Sequence, residues 1–246
     1  MPRQWLGLQG ACSSLLSSII ALMTEATPRV ALIHATPLAM EPIASAFAQL
    51  WPQARCMNLL DDTLSLDRAA AGRLTPQMEQ RFIDLALYAK GTGCQGILFT
   101  CSAFGPAIEA AARAVALPTL KPNEAMFEQA LAAAPGGRLG LVATFEASLA
   151  PMSQELLALA ARQGHLVELQ TVFVPEAMQD LAEGRGALHD EKIAAGARTL
   201  QACDVIMLAQ FSMAQARPAV QQAVACPVLS SPDCAVIALK ERMNHD

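Results

Sequence analysis

The sequence predicts an α/β protein of two pseudo-symmetric halves, each a mainly parallel four-stranded sheet flanked by helices, with an active-site cleft between them. Three observations predict it. From Arg29 onward short apolar runs alternate with longer stretches of helical periodicity, the pattern of parallel strands covered on both faces. The pattern then repeats at a spacing of 109 residues: Arg29-Val-Ala-Leu-Ile falls on Arg138-Leu-Gly-Leu-Val, Cys94-Gln-Gly-Ile-Leu on Cys203-Asp-Val-Ile-Met, and Pro118-Thr-Leu on Pro227-Val-Leu. Finally, 246 residues that are 53% apolar and 16% charged are ample for a buried core and exclude disordered or low-complexity classes.

Taken in order, residues 1–28 read as an N-terminal extension. The apolar stretch up to Met23 partly resembles an export signal, but Gln4, Gln9 and four serines interrupt it and no clean cleavage site follows, so an upstream extension is the favoured reading over export, and the stretch is too polar for a membrane span. Arg29 to Ala35 is the first strand and Pro42 to Leu50 its helix. Cys56 to Leu60 is the second strand, and Thr75 to Lys90 a helix with Met78, Phe82 and Leu85 at helical spacing. Cys94 to Thr100 is the third strand, Pro106 to Ala116 a helix and Pro118 to Leu120 a short fourth strand. The halves span 29–135 and 136–240, joined at Ala134-Pro-Gly-Gly137, and 241–246 is a tail.

The composition removes several function classes. A net charge of -5 without a Lys/Arg run gives no electrostatic footprint for nucleic acid. Seven scattered cysteines, an odd number, fit free thiols in a cytoplasmic protein better than a disulfide framework. No GxGxxG follows a strand, no GxxxxGK[ST] or HExxH occurs, and no cysteine pair has zinc-site spacing, so no cofactor and no metal are expected.

In open α/β sheets ligands bind beyond the carboxyl ends of the strands, which selects the residues to consider. Cys101 lies where the third strand gives way to a helix, in Phe99-Thr-Cys-Ser-Ala-Phe-Gly105. Backbone N–H groups and the helix dipole at such a turn lower a thiol's pKa and attract a carboxylate, so Cys101 is the candidate acid/base or nucleophile; the plainer alternative is a buried apolar cysteine. Ser102 and Ser212, with nearby N–H groups, can hold a carboxylate or a developing enediolate, or simply cap helices. His34 is the one histidine at an expected strand end; it can exchange a proton or activate Cys101, or serve as a structural hydrogen-bonder. Asn58 ends the second strand and is a substrate-binding candidate. Lys121 can steer an anion toward the cleft, with a surface ion pair as the duller alternative.

The FTCSAFGP segment, the duplicated halves and VIMLAQFSM before a helix make the chain resemble the aspartate/glutamate racemase superfamily over residues 29 to about 240. That superfamily includes hydantoin and allantoin racemases, maleate isomerases and arylmalonate decarboxylases. The resemblance implies cofactor-free chemistry on a small carboxylate or amino-acid-like substrate, and often a homodimer. It also implies substrate contacts from Thr144 and from the Gln210-Phe211-Ser212 strand end. Racemases of this type place one cysteine at each of two equivalent strand ends, and Cys101 matches the first. The equivalent of Cys101 at the 109-residue spacing is Gln210, whose carboxamide has no usable proton near neutral pH. Cys203 does not replace it, because it starts the strand, ~20 Å away at strand rise. The expected function is therefore single-cysteine proton transfer alpha to a carboxylate or carbonyl, as a racemase, isomerase or decarboxylase/lyase. A non-catalytic carboxylate-binding protein on the same fold is the alternative.

Overall fold

The computed structural model describes residues 27–245; the expectations for 1–26, including Cys12, lie outside them. The first half contributes β1 (Arg29–His34), α1 (Met40–Leu50), β2 (Arg55–Leu60), α2 (Thr63–Ala71), α3 (Pro76–Gly91), β3 (Gly96–Phe99), α4 (Gly105–Val115) and β4 (Thr119–Leu120). After α5 (Glu124–Ala133) come β5 (Arg138–Ala143), α6 (Leu149–Arg162), β6 (Glu168–Phe173), α7 (Ala177–Ala182) and α8 (Gly186–Ala197). The chain closes with β7 (Val205–Leu208), α9 (Arg217–Ala223), β8 (Val228–Ser230) and α10 (Ser231–His245). Two all-parallel sheets result, of order β2-β1-β3-β4 and β6-β5-β7-β8. No helix of the described residues is long and apolar enough to cross a membrane.

The 109-residue spacing holds to the residue for β1 with β5, β3 with β7, and the start of β4 with that of β8. It fails at one strand: β6 lies 113 residues after β2, because α6 is 14 residues long against 11 for α1 and the connection that follows it is one residue longer. The shift is recovered before β7, so the repeat is not gapless, as the three matched strands alone suggest. Even so, β2 and β6 share the same pattern of half-exposed residues, as expected of edge strands.

Helix α2, and the helices α5 and α10 that follow the fourth strand of each half, have no counterpart in the sequence reading. Helix α2 presents only Leu64 to the core, so it carries almost no apolar stripe by which it can be recognised, and it ends at Gly72 in the left-handed region, φ 65°. Helix α3, by contrast, starts as its sequence dictates. Thr75 caps it by accepting the Met78 N–H at 3.3 Å, and Pro76 takes the first position, where no N–H is needed.

Strand alternation assigns the two faces of each sheet. Ala31, Ile33, Ile97 and Phe99 pack under α3 and α4, while Val30, Leu32 and Leu98 pack against Ile43 and Phe47 of α1 and Val236 and Leu239 of α10. In the second sheet Leu139, Leu141 and Met207 pack against α5 and α6, and Val142, Ile206 and Leu208 against α8 and α9. The last helix of each half is thus exchanged: α5 leaves β4 to cover the second sheet, and α10 leaves β8 to cover the first. The chain crosses between sheets at Lys121–Asn123 and again at Ser230–Ser231, where Ser231 Oγ donates to Asn123 Oδ1 at 2.7 Å.

Candidate active site

In both sheets the chain reverses its direction of strand addition between the first and third strands, so the cleft opens at their carboxyl ends. β1 and β3 are joined beyond their last pair by the Thr100 N–H donating to the Ile33 carbonyl at 3.1 Å. Cys101 follows in extended conformation, φ -123° and ψ 118°, and leads into a single 3-10 turn, Ser102–Phe104. Phe104 is fully buried, its ring 4.7 Å from that of Phe82, and this anchor fixes the turn. Gly105 and Pro106 then open α4. The sequence stretch that suggested a strand-to-helix turn forms one.

The thiol's surroundings differ from expectation. Burial pushes the Cys101 thiol up from its ordinary value, and the Ala103 N–H, which favours the thiolate, only partly opposes this. The turn supplies one backbone donor and no cation, so desolvation wins over the helix terminus.

The equivalent turn of the second half carries Gln210, φ -104° and ψ 148°, at the head of Phe211–Ala216. Its carboxamide is spoken for on both sides. Oε1 accepts from the Thr144 N–H at 2.9 Å and from Thr144 Oγ1 at 3.2 Å, while Nε2 donates to Ser148 Oγ at 2.8 Å. One N–H remains for anything in the cleft.

A cavity of about 310 Å³ lies between the two turns, lined by Thr100, Cys101 and Ser102 from one half and by Phe145, Gln210, Phe211 and Ser212 from the other, with Asn123 on its floor. A second cavity of about 810 Å³ shares Cys101, Ser102 and Phe145 and is also lined by Lys121, Arg68 and Arg162. The strand ends chosen from the sequence therefore converge, apart from His34, Asn58 and Thr144, which line neither cavity.

His34 is fully buried behind the β1 end, with Nδ1 2.8 Å from Thr100 Oγ1 and Nε2 2.9 Å from Asn58 Oδ1. With Asn58 Oδ1 as acceptor, Nε2 carries the proton and Nδ1 accepts from the Thr100 hydroxyl, so a neutral ring satisfies all three groups. Burial holds the His34 pKa below its ordinary value, against the opposing Asn58 hydrogen bond. The structural alternative therefore describes His34 and Asn58 as they stand: they brace Thr100, next to Cys101. Thr144 likewise turns inward, buried and committed to Gln210. Lys121 is ion-paired at 3.0 Å to Glu109 of α4 and at 3.3 Å to Glu155 of α6, so its charge is matched before any substrate arrives.

Asn123 received no role from the sequence, although it stands at a strand end. It is 2% exposed, and with Oδ1 held by Ser231, its Nδ2 has no hydrogen-bond partner among the described residues. Arg68 and Arg162 were also missed, since both sit on helices remote in sequence from any strand end.

A family model described as Asp/Glu/Hydantoin racemase matches residues 33–239. The chain belongs to that family. Solved members of similar fold include a glutamate racemase isoform from Bacillus anthracis, with a TM-score of 0.65 at 14% identity over 89% of this chain and 82% of that one. An allantoin racemase from Klebsiella pneumoniae gives 0.64 at 19% identity over 87% and 86%, and an arylmalonate decarboxylase gives 0.60 at 17% over 88% and 92%. No curated protein matches the chain by sequence. Racemases and a decarboxylase thus share this fold, and the identities are low enough that the residues of this cleft must be read for themselves.

Proposed function

We propose that the protein is a cofactor-independent enzyme of the racemase-family type in which Cys101 is the single proton-carrying group, acting at the carbon alpha to a carboxylate or carbonyl of a small substrate. The observation that carries this reading is the Cys101 thiol on the wall of a cavity whose opposite wall bears Gln210. Because burial raises the thiol's pKa, Cys101 is protonated at neutral pH and acts as an acid toward a carbanion or enediolate rather than as a resting thiolate. Gln210 offers a hydrogen bond and no proton, so proton delivery is one-sided.

Such a site suits reactions in which a bond to the alpha carbon breaks, leaves its electron pair there, and the vacated position takes the Cys101 proton. In a decarboxylation the broken bond is to a carboxylate that departs as CO2, and the resulting thiolate recovers its proton from water. Ser102, the remaining Gln210 N–H and Asn123 Nδ2 are the donors available to hold the carboxylate or the enediolate oxygen.

The test is Cys101→Ala assayed with a panel of small carboxylates and malonates in heavy water. The wild-type protein is expected to place deuterium at the alpha carbon of at least one of them and the variant to lose this by roughly 10³-fold or more, the scale of positioned acid–base catalysis. Activity of the wild type should fall on the alkaline side as the thiol deprotonates, above the ordinary range of roughly 8.5. A second reading, a carboxylate-binding protein, is favoured by one observation, that among the described residues no charged group stands against Cys101 to draw off its proton. That reading gains if the wild type binds carboxylates, Cys101→Ala binds them equally, and neither exchanges a proton.

A further inference from the structure

We propose that the larger cavity is a second anion subsite, built by Arg68 and Arg162, which selects elongated substrates carrying a second carboxylate beyond an apolar middle. The inference rests on the reading that a carboxylate substrate meets Cys101, and it adds which carboxylate.

The two cavities share Cys101, Ser102 and Phe145, so a ligand seated against the thiol can extend from one into the other. The smaller space of about 310 Å³ suits a small head group, and the larger one of about 810 Å³ is far larger than a second carboxylate alone requires. Phe145 and Met152 give the larger cavity apolar walls, which fits an alkyl or aryl middle.

Three cations and two carboxylates line this space, and they are not equivalent. Lys121 is taken by Glu109 and Glu155. Arg68 and Arg162 form no ion pair among the described residues, and Arg68 Nε is buried without an acceptor. A buried guanidinium donor left unpaired is costly, so a ligand oxygen that supplies the acceptor is favoured there. The planar fork of a guanidinium matches a carboxylate's two oxygens. The two arginines come from opposite sides of the cleft, Arg68 from the last turn of α2 and Arg162 from the last turn of α6. A distal anion between them ties the halves together.

The alternative role for both is structural, since a cation in a last helical turn complements the helix dipole. Ligand selectivity separates the two. The experiment measures protection of Cys101 from alkylation, and affinity by calorimetry, for linear dicarboxylates from succinate to sebacate, each beside the monocarboxylate of equal chain length. Beyond a threshold length the second carboxylate is expected to tighten binding by tenfold or more. The Arg68→Gln/Arg162→Gln protein is expected to bring that ratio near one. A ratio near one at every length in the wild type overturns the subsite while leaving the Cys101 reading intact, and so does a ratio that survives the double substitution while stability falls. Failure of both series to protect Cys101 overturns the reading beneath it as well.

Discussion

His34 illustrates how one buried side chain sets local behaviour from outside both cavities. Its neutral ring joins Asn58 to Thr100, and Thr100 is the residue before the thiol. Since its folded-state pKa lies below the unfolded value of roughly 6.5, the stability it contributes is present above that pH and is lost as pH falls through the folded pKa. Acidification below about 6.5 should therefore lower the urea midpoint, and His34→Gln should flatten that dependence. The same variant should cost about 1–3 kcal/mol at pH 8 if Asn58 or Thr100 loses its partner. An unchanged acid profile in the variant would assign the titration elsewhere. Asn58 and His34 were legible in the sequence as strand-end residues, but not as partners, because residues 24 apart meet only once β1 and β2 pair in register.

At the scale of elements, the strands and the helices α1, α3 and α4 of the first half could be read because a period of two or of 3.6 must appear wherever one face is buried. Helix α2 was invisible for the same reason: with Leu64 alone in the core it has no period to show. The ownership of α5 and α10 was hidden differently. Their apolar faces, such as Met126, Phe127 and Leu131 on α5 and Val236 and Leu239 on α10, say that each covers a sheet and are silent on which. The exchange makes a specific expectation for α10. Leu239 is fully buried on the first sheet, so Leu239→Ala should destabilise by about 2–5 kcal/mol, the range for a buried leucine, although it lies more than a hundred residues beyond β4. Chemical denaturation followed by circular dichroism checks this; a loss below 0.5 kcal/mol would mean that α10 does not seal that sheet.

For the whole molecule, the exchange means that neither half owns a complete core. Each sheet lacks one covering helix until the other half supplies it, so the halves are expected to unfold together. Fluorescence of Trp51, packed in the first half, and the overall helical signal should report one midpoint. Leu131→Ala, in the core of the second, should move both by the same amount. Separate midpoints would contradict a shared core. Much of the site follows from this same plan: the duplicated strands told where Cys101 and Gln210 belong, while Asn123, Arg68 and Arg162 depend on how the two sheets stand across the cleft, which no local pattern encodes.

The two crossings, at Lys121–Asn123 and Ser230–Ser231, are the only places among the described residues where the chain passes between the sheets, and the Asn123–Ser231 hydrogen bond pins them side by side. Together they form an axle. A rotation of one half against the other about this line would displace atoms in proportion to their distance from it. Asn123 belongs to the axle and lines the same small cavity as Cys101 and Gln210, so the gap between those two residues lies against the line that such a rotation would disturb least. Arg68 and Arg162 stand on α2 and α6, one in each half, so the same rotation would reshape the larger cavity that both line.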